Sequence, residues 1–283
     1  MNVRNILAGI DFEKHTGNIL AYASLFAGNL RASLHLLHVI DYLVTPPTYL
    51  DQYIDAEKNA AVDKLETMER ELSNSGIKVD SSVLVGRIQS SFETVLQKTA
   101  ADLLVLGFAS HAFRRSSSEK LIKGLQRPML VVRGKKSETA AEGTIAVRRI
   151  LCPVDFSDLS QKALDIARHL ALTFSSGIEV MHVLQESAVK KMKHRDAKKE
   201  AMKRLFKQEQ DSLNGFLSAA SFDAHGIMER GEPYKRIVAY ASDKDIDLIV
   251  MGARGLGLIK GMLIGSVTDA VLKSAPCPVL VIH

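Results

Sequence analysis

A glycine-rich segment near the carboxyl end of the chain, residues 251–268, holds the residue types best suited to binding an anion. Its sequence, MGARGLGLIKGMLIGSVT, leaves a predicted strand, passes through closely spaced glycines and enters a predicted helix at Ser266. Glycines let a ligand approach the backbone, and successive backbone N–H groups in such turns form a concavity for anions. The first N–H groups of a helix also attract phosphate. We therefore predict a phosphate-binding loop, to which Arg254 adds a planar donor and Thr268 a hydroxyl.

Two better-known phosphate motifs do not fit this segment. A Walker A loop needs Gly-Lys-Ser/Thr after four spacer residues, whereas Lys260 precedes its glycine. The Rossmann fingerprint needs a third glycine where Lys260 stands, and it follows an early strand rather than a late one. A loop that uses its glycines for turns alone remains an alternative.

Two other strand ends in the same half are expected beside this loop. The first predicted strand ends in Pro153-Val154-Asp155-Phe156-Ser157, and the second ends in His182-Val183. Ligands of parallel α/β sheets bind beyond the carboxyl ends of the strands, where the strand order reverses. The Asp155 carboxylate can accept hydrogen bonds from a base amine or a ribose hydroxyl. The three segments are therefore predicted to form one site.

The elements that position these residues occur twice, because the chain of 283 residues contains two collinear copies of one long unit. A shift of 144 positions places Asp11-Phe12 on Asp155-Phe156 and His38-Val39 on His182-Val183. Shifts of 145 and 150 align later pairs, among them Gly86 with Gly231, Asp102 with Asp247, Gly107 with Gly252 and Pro128 with Pro278. Repeats of a solenoid have about 20–50 residues, so a unit of this length is a duplicated domain.

Each half is predicted to be one α/β domain. In the second half, the apolar runs RRILCPV, GIEVMHVL, FDAHGIM, IDLIVMG and PVLVIH alternate with helical patterns. Several runs are apolar without alternation, which is typical of parallel strands covered on both faces. The pattern predicts two tandem Rossmann-like, doubly wound domains with five-stranded parallel sheets. The first spans 1–136 and the second 148–283, joined by a small polar linker at 137–147.

Composition excludes several other classes of protein. With 46% hydrophobic and 24% charged residues, the chain is neither disordered nor fibrous. No apolar run reaches the about 18–20 residues of a membrane helix, and the first residues, MNVRNILAGIDF, become charged too early for a signal peptide. Two cysteines, Cys152 and Cys277, fit a reducing compartment. We therefore expect a cytoplasmic protein without a membrane segment.

The net charge of +5 belongs to one segment. Nine Lys or Arg and two acidic residues lie between Lys190 and Lys207, so this segment carries +7 and the rest of the chain −2. Such a run can bind nucleic acid or anionic lipid. We favour a solvated helix face, because aromatic residues for base stacking are absent from it.

The spacing of the glycines in the second half is specific. Gly252, Gly255, Gly265 and Ser266 are separated by two, nine and no residues, and they form the pattern Gly-x2-Gly-x9-Gly-Ser. In this pattern the chain resembles the universal stress protein family, here in a tandem two-domain form. Supporting motifs also match, namely Pro-x-Asp-Phe-Ser at 153–157, His-Val at 182–183 and Ala-Pro-Cys-Pro-Val-Leu-Val at 275–281.

The resemblance implies binding of ATP or of the related ADP or AMP, with Mg²⁺ as a frequent companion in the family. It implies that Asp155, with Pro153 and Val154 beside it, contacts adenine, and that the backbone at Val183 does so too. It further implies that ribose and phosphates lie on Met251, Gly252, Arg254 and Gly255, and the outer phosphates on Gly265, Ser266, Val267 and Thr268. The sequence offers no dedicated carboxylate cage for a metal.

The first half departs from the family pattern. Gly107 is kept, but Ser110 replaces the second glycine, and counting nine further residues reaches Lys120-Leu121 instead of Gly-Ser. A shorter loop with Arg115-Ser116 opposite Gly265-Ser266 is an alternative, and its serines also have capping-box spacing. We expect this half to act as a structural partner. By analogy with family dimers, the strands near 129–133 and 278–282 should pair in an internal pseudo-dimer.

The histidines and cysteines are weaker candidates for metal ligands or catalytic residues. The histidines lack Cys or His partners at zinc-ligand spacing, and His35 and His38 fall on opposite faces of a strand. Cys152 and Cys277 are expected to be buried, and spacing alone assembles no Ser-His-Asp or Cys-His constellation. We therefore predict neither a metal site nor catalytic residues.

The leading hypothesis is a stress-response protein that binds an adenine nucleotide in its second domain, with at most slow hydrolysis. Binding would stabilise one conformation and tune partner contacts, and further homodimerisation is compatible with it. Two alternatives stay open. One is a true ATPase or adenylyl-transfer enzyme on the same site, and the other is a ligand-free interaction scaffold that uses the basic helix near 190–207. Neither a membrane nor a nucleic acid is the expected partner.

Overall fold

The computed structural model describes residues 3–13, 15–41, 51–108, 117–133, 145–185, 195–219, 225–256 and 263–283. They divide into two compact units, Met1–Ile145 and Ala146–His283. In both units strands and helices alternate along the chain, as the sequence pattern predicts. The α/β class with two tandem domains is therefore confirmed.

Unit 1 is a five-stranded sheet flanked by helices. Its elements are β1 (Asn5–Gly9), α1 (Thr16–Leu30), β2 (Ser33–Ile40), α2 (Asp51–Asn74), β3 (Val79–Val85), α3 (Ile88–Thr99), β4 (Leu103–Gly107), α4 (Ser117–Gly124) and β5 (Met129–Val132). The strand order is β3-β2-β1-β4-β5, and every pair is parallel.

Unit 2 repeats this architecture. Its elements are β6 (Arg149–Val154), α5 (Asp158–Phe174), β7 (Gly177–Leu184), α6 (Arg195–Ala219), β8 (His225–Arg230), α7 (Pro233–Asp243), β9 (Leu248–Gly252), α8 (Ser266–Ser274) and β10 (Val279–Ile282). The strand order is β10-β9-β6-β7-β8, again parallel throughout. The chain leaves β6 towards β7 and later returns to its other side at β9. The strand order therefore reverses between β6 and β9.

Burial explains why these apolar runs become central strands. All residues of β4 (LLVLG) and of β9 (LIVMG) are buried. A strand that alternated apolar and polar residues would leave charged groups under a helix, and this would cost free energy. Continuous apolar runs therefore belong in the middle of a sheet with both faces covered.

A repeated aspartate ties the first strand of each unit to the fourth. The Asp102 carboxylate accepts hydrogen bonds from the backbone N–H groups of residues 4 and 5, at 2.7 and 3.1 Å. Asp247 does the same for residues 148 and 149, at 2.8 and 2.9 Å. The Asp-Leu pair that recurs in the sequence therefore has a structural task.

Two predictions about organisation remain predictions. Most of the linker, residues 137–144, lies outside the described residues. Pairing of the strands near 129–133 and 278–282 in an internal pseudo-dimer also stays an expectation. Within the described part of the chain, no helix is both long and apolar enough to cross a membrane.

Candidate functional site

A cavity of about 660 Å³ opens at the carboxyl ends of β6, β7 and β9 in unit 2. Its position is the point where the strand order reverses, and ligands of doubly wound sheets bind at such points. The structure brings all the predicted binding residues to its wall: Pro153, Val154, Asp155, Val183, Met251, Gly252, Arg254, Gly255, Gly265, Ser266, Val267 and Thr268. Residues 257–262, the middle of the glycine-rich loop, lie outside the described residues.

The three glycines of the motif have different reasons to be glycine. A Cβ on Gly252 would lie 3.1 Å from Leu159 Cβ, so close packing of α5 on β9 favours glycine there. A Cβ on Gly255 would collide with Asp155 Oδ2. At Gly265, however, the backbone is extended (φ −75°, ψ 159°), and among the described residues the nearest atom to a Cβ would be Arg254 Cα at 3.4 Å, an ordinary contact. Packing of the described residues therefore does not account for this glycine, and we expect a ligand to approach its backbone closely.

The start of α8 presents backbone donors to the cavity. Gly265 is the N-cap, and its own N–H donates to the Ala253 carbonyl at 2.7 Å. The first helical hydrogen bond runs from the Asp269 N–H to the Gly265 carbonyl, at 2.9 Å. The N–H groups of residues 266–268 precede it and therefore have no acceptor within the helix. Together with the helix dipole they form an anion-binding position.

Thr268 holds the site together with its side chain. Its hydroxyl donates to the Gly252 carbonyl at 2.9 Å, and the residue is only 3% exposed. The proton of this hydroxyl is thus used to fix the start of α8 to the end of β9. The predicted hydroxyl donor for phosphate is therefore occupied, and the backbone N–H is what Thr268 offers a ligand.

Replacing Thr268 with valine is expected to lower the free energy of unfolding by about 1–3 kcal/mol, because the buried Gly252 carbonyl loses its donor. Urea unfolding of both proteins measures the difference. The matched control is Thr173→Val, whose hydroxyl donates to the His169 carbonyl in a solvent-exposed hydrogen bond. The control should change stability by less than about 0.5 kcal/mol. Equal effects of the two changes would contradict the role given to Thr268.

Another part of the cavity wall contains an imidazole, a phenyl ring and a carboxylate. His182 Nδ1 lies 2.8 Å from the Val154 carbonyl oxygen and donates to it. The ring stacks on Phe156, with centroids 4.4 Å apart. His182 Nε2 lies 3.6 Å from a carboxylate oxygen of Glu209. The carboxylate of Glu209 can accept a hydrogen bond from a ligand.

Four residues of the cavity wall were not predicted from the sequence. Helix α6 contributes Leu205 and Glu209, and α7 contributes Pro233 and Ile237. These residues fit ordinary helical patterns, and nothing in their spacing marks them as ligand contacts. Only the length of the amphipathic segment after β7 could have indicated that a helix covers this side.

Arg254 supplies positive charge to the cavity wall, and its backbone lies beside the N-cap of α8. Burial first, and then the Arg254 charge, lower the pKa of nearby His283 to about 4. The His283 imidazole is therefore neutral at pH 7 and adds no charge to the site. The wall also contains two described carboxylates, Asp155 directly after β6 and Glu209 on α6.

Unit 1 repeats part of the frame of this site. His38 Nδ1 lies 2.7 Å from the Ile10 carbonyl oxygen, and its ring contacts Phe12, as His182 contacts Phe156. However, the ring of Phe92, which is 3% exposed, packs on Gly9: a Cβ on Gly9 would lie 2.8 Å from Phe92 Cζ. At the shifts of 144 and 145, the equivalent residues of unit 2 are Pro153 and Ile237, and both line the cavity.

The sequence offered two counterparts in unit 1 for Gly265-Ser266, namely Lys120-Leu121 and Arg115-Ser116. Lys120 and Leu121 lie inside α4, so no helix starts there. Ser118 lies in the first turn of α4, and Ser110 and Arg115-Ser116 lie outside the described residues. Gly107 is explained by packing, because a Cβ would lie 2.8 Å from Ile19 Cδ1.

The structure does assemble one Ser-His-Asp arrangement that spacing did not indicate. His35 Nδ1 lies 2.8 Å from Asp80 Oδ1, and His35 Nε2 lies 2.8 Å from Ser82 Oγ. These residues face one another across β2 and β3 of unit 1. The Asp80 side chain is 71% exposed, so water screens its charge. We interpret the arrangement as cross-strand pairing.

The carboxyl-terminal part of the basic run forms the first half of α6, whereas residues 186–194 lie outside the described part. The charged residues of the whole helix are Arg195, Lys198, Lys199, Lys203, Arg204 and Lys207 against Asp196, Glu200, Glu209 and Asp211. Arg204 and Glu200 lie 3.5 Å apart, and both side chains are more than half exposed. We interpret this helix as having a solvated face. No group of three or more potential metal ligands occurs among the described residues.

Both cysteines are buried free thiols. Burial raises both pKa values, that of Cys277 to about 12, with smaller contributions from the Asp165 charge at Cys152 and the Asp247 charge at Cys277. We expect neither thiol to react with a disulfide reagent in the folded protein at mildly alkaline pH, because the thiolate is the nucleophile. Both should react after unfolding in guanidinium chloride. Rapid labelling of either one in the folded state would contradict this burial.

The fold and the cavity define a class: tandem α/β proteins with a ligand-sized site at the switch point of one sheet. The chain belongs to the universal stress protein family, because the family model matches residues 2–133 and again 146–283. Universal stress protein YxiE of Bacillus subtilis is 31% identical over 150 residues, which are 48% of this chain and 98% of YxiE. Universal stress protein MJ0577 of Methanocaldococcus jannaschii is 26% identical over 156 residues, 49% of this chain and 96% of MJ0577.

A solved structure matches over both domains. The crystal structure of a universal stress protein from Archaeoglobus fulgidus superposes with a TM-score of 0.73 at 20% identity, and the match covers 99% of this chain and 96% of that one. At this identity the likeness establishes the fold of the chain.

Proposed function

We propose that the protein binds ATP, or a related adenine nucleotide, in the cavity of unit 2. The observation that carries this proposal is the combination of groups that line the cavity. The N-terminus of α8 and Arg254 offer hydrogen-bond donors and positive charge, and Asp155, His182 and Glu209 add two carboxylates and an imidazole. A nucleotide matches this combination, because its phosphates are anionic and its base and ribose carry hydrogen-bond donors.

The size and the lining of the cavity support the same proposal. A volume of about 660 Å³ lies within the range of about 300–1,000 Å³ that small-molecule sites occupy. The apolar part of the cavity wall includes Val154, Val183, Met251 and Ile237. Such a surface suits the flat face of a base, whereas a small inorganic anion would leave it uncovered.

We propose binding rather than catalysis as the main activity. Both oxygens of Asp155 already accept hydrogen bonds from the protein, and a carboxylate oxygen of Glu209 lies 3.6 Å from His182 Nε2. We therefore expect neither carboxylate to activate water. Any Mg²⁺ is expected to arrive with the nucleotide, held by phosphate oxygens and water.

Isothermal titration of the full-length chain with ATP and Mg²⁺ tests the proposal. We expect saturable binding with one site per chain, because unit 1 lacks the Gly-x2-Gly-x9-Gly-Ser pattern and Lys120-Leu121 lie inside α4. Absence of saturable binding would contradict the proposed function, and two equivalent sites would contradict the assignment to unit 2. Turnover of radiolabelled ATP far above background would favour the enzymatic alternative.

A further inference from the structure

The carboxylate of Asp155 joins two segments that are far apart in the sequence. Its Oδ1 accepts hydrogen bonds from the Ser157 N–H at 3.2 Å and from the Ser157 hydroxyl at 2.6 Å. Its Oδ2 accepts a hydrogen bond from the N–H of Leu256 at 2.9 Å. Ser157 is itself fixed, because it caps α5 and its Oγ accepts from the Ser160 N–H at 3.2 Å. The start of α5 thus orients the carboxylate towards the glycine-rich loop.

The contact determines the path of the loop as it leaves β9. Gly255 passes so close to Asp155 Oδ2 that any Cβ would collide with the oxygen. The other end of the loop returns to the same place, since the Gly265 N–H donates to the Ala253 carbonyl. Arg254 lies in the sequence between Ala253 and Leu256, the two loop residues that form these hydrogen bonds. Its backbone is therefore held next to the N-terminus of α8.

We propose that Asp155 is a positioning residue for phosphate binding, in addition to any contact with the base. By accepting the Leu256 N–H, it fixes the loop so that Arg254 and the first N–H groups of α8 address the same anion. This inference rests on the proposed function and extends it: an acidic residue that is expected to contact the base also supports the binding of the phosphates.

Three mechanisms predict different signs for the loss of this charge. If Asp155 only reads the base, removing its charge leaves the binding of inorganic triphosphate unchanged. If it acts on phosphates only through Coulomb repulsion, removing a negative charge strengthens that binding. If it positions the loop, the binding of inorganic triphosphate becomes weaker. The probe therefore separates the mechanisms, because it carries phosphates without a base or a ribose.

The main variant is Asp155→Asn, which keeps the shape of the side chain. Its single carbonyl oxygen cannot serve both Ser157 and Leu256, and its NH2 group would face another donor. Isothermal titration of the full chain with inorganic triphosphate and with ATP is expected to show about tenfold weaker binding of both, as the loss of a charge-assisted hydrogen bond predicts. Unchanged or tighter binding of inorganic triphosphate by a folded variant would overturn the proposal.

Unit 1 offers a matched control. Asp11 occupies the equivalent position, and its Oδ1 accepts from the Glu13 N–H and the Thr16 hydroxyl, both at 3.0 Å. Asp11→Asn should leave both titrations unchanged. A milder second variant is Ser157→Gly, because glycine costs a helix cap only a few tenths of a kcal/mol. It removes the hydroxyl that orients the carboxylate and should weaken both ligands in the same direction, to a smaller extent.

Amide hydrogen exchange at Leu256 keeps the inference separate from the proposed function. In the ligand-free protein, this N–H should be protected, and Asp155→Asn should speed its exchange by about tenfold or more because the acceptor is lost. Faster exchange supports the positioning contact even where neither ATP nor inorganic triphosphate binds, a result that would contradict the proposed function alone. Exchange at Leu256 that is equally fast in both proteins would overturn the inference.

Discussion

A Gly265→Val protein is expected to fold normally and to lose at least about a hundredfold in affinity for ATP, since two or more phosphate hydrogen bonds would be blocked. The fold tolerates a side chain here, because the backbone is extended and a Cβ has 3.4 Å to Arg254 Cα. The branched side chain would instead fill the space in front of residues 266–268, where the N–H groups of α8 meet the ligand. Isothermal titration measures the affinity.

Graded substitution separates this effect from a general loss of structure. Gly265→Ala adds only the Cβ and should give an intermediate affinity. Urea unfolding should give similar midpoints for both variants and the original protein. ATP binding of undiminished strength by folded Gly265→Val would mean that no ligand approaches this backbone. The explanation of Gly265 would then be wrong.

The second large effect is expected from Ile237→Phe, which gives unit 2 the aromatic residue of unit 1. In unit 1, the Phe92 ring packs directly on Gly9, which leaves room for it because it has no Cβ. The position equivalent to Gly9 is Pro153, which has a side chain where Gly9 has none, and Ile237 lines the cavity. We therefore expect a phenyl ring at position 237 to turn into the cavity. We expect ATP binding to weaken by about tenfold or more, given the usual 1–3 kcal/mol cost of overpacking.

The control for this change is Ile237→Leu, which conserves volume and should leave ATP affinity within about threefold of the original, because such swaps are tolerated best. Both proteins are compared by titration with ATP and by urea unfolding. Full ATP affinity in folded Ile237→Phe would show that Ile237 does not border the ligand. The contrast drawn between the two units would then fail.

Much of the site could be predicted because it is local in the sequence. The glycine spacing from Gly252 to Gly265 and the strand ends at Asp155 and Val183 are short patterns. Parallel strands place their carboxyl ends on one edge of the sheet, so recognising the strands was enough to bring these segments together. The duplication could also be predicted from the sequence, because whole strands and residues such as Asp102 and Asp247 recur at a nearly constant spacing.

The contribution of α6 could not be read from the sequence. Its position is set by packing: a Cβ on Gly226 would lie 2.9 Å from Leu217 Cδ1 and 3.2 Å from Leu213 Cδ2. This close contact places Leu205 and Glu209, earlier in the same helix, over the cavity. The amphipathic pattern gives the buried face of a helix, but not which residues reach a neighbouring ligand site.

The sequence by itself determined the α/β class, the duplication, the family and the segments that line the site, because each depends on periodicity or on short motifs. Only the tertiary structure decided what individual groups do within it. The Thr268 hydroxyl donates to the Gly252 carbonyl, and Asp155 accepts from Leu256 across 101 positions. Phe92 packs on Gly9 in unit 1, whereas the equivalent Ile237 lines the cavity of unit 2. The physical reason is that a hydrogen bond or a close contact between distant segments is made or lost when the distance between two atoms changes by a few tenths of an ångström. No local sequence pattern specifies distances with this precision.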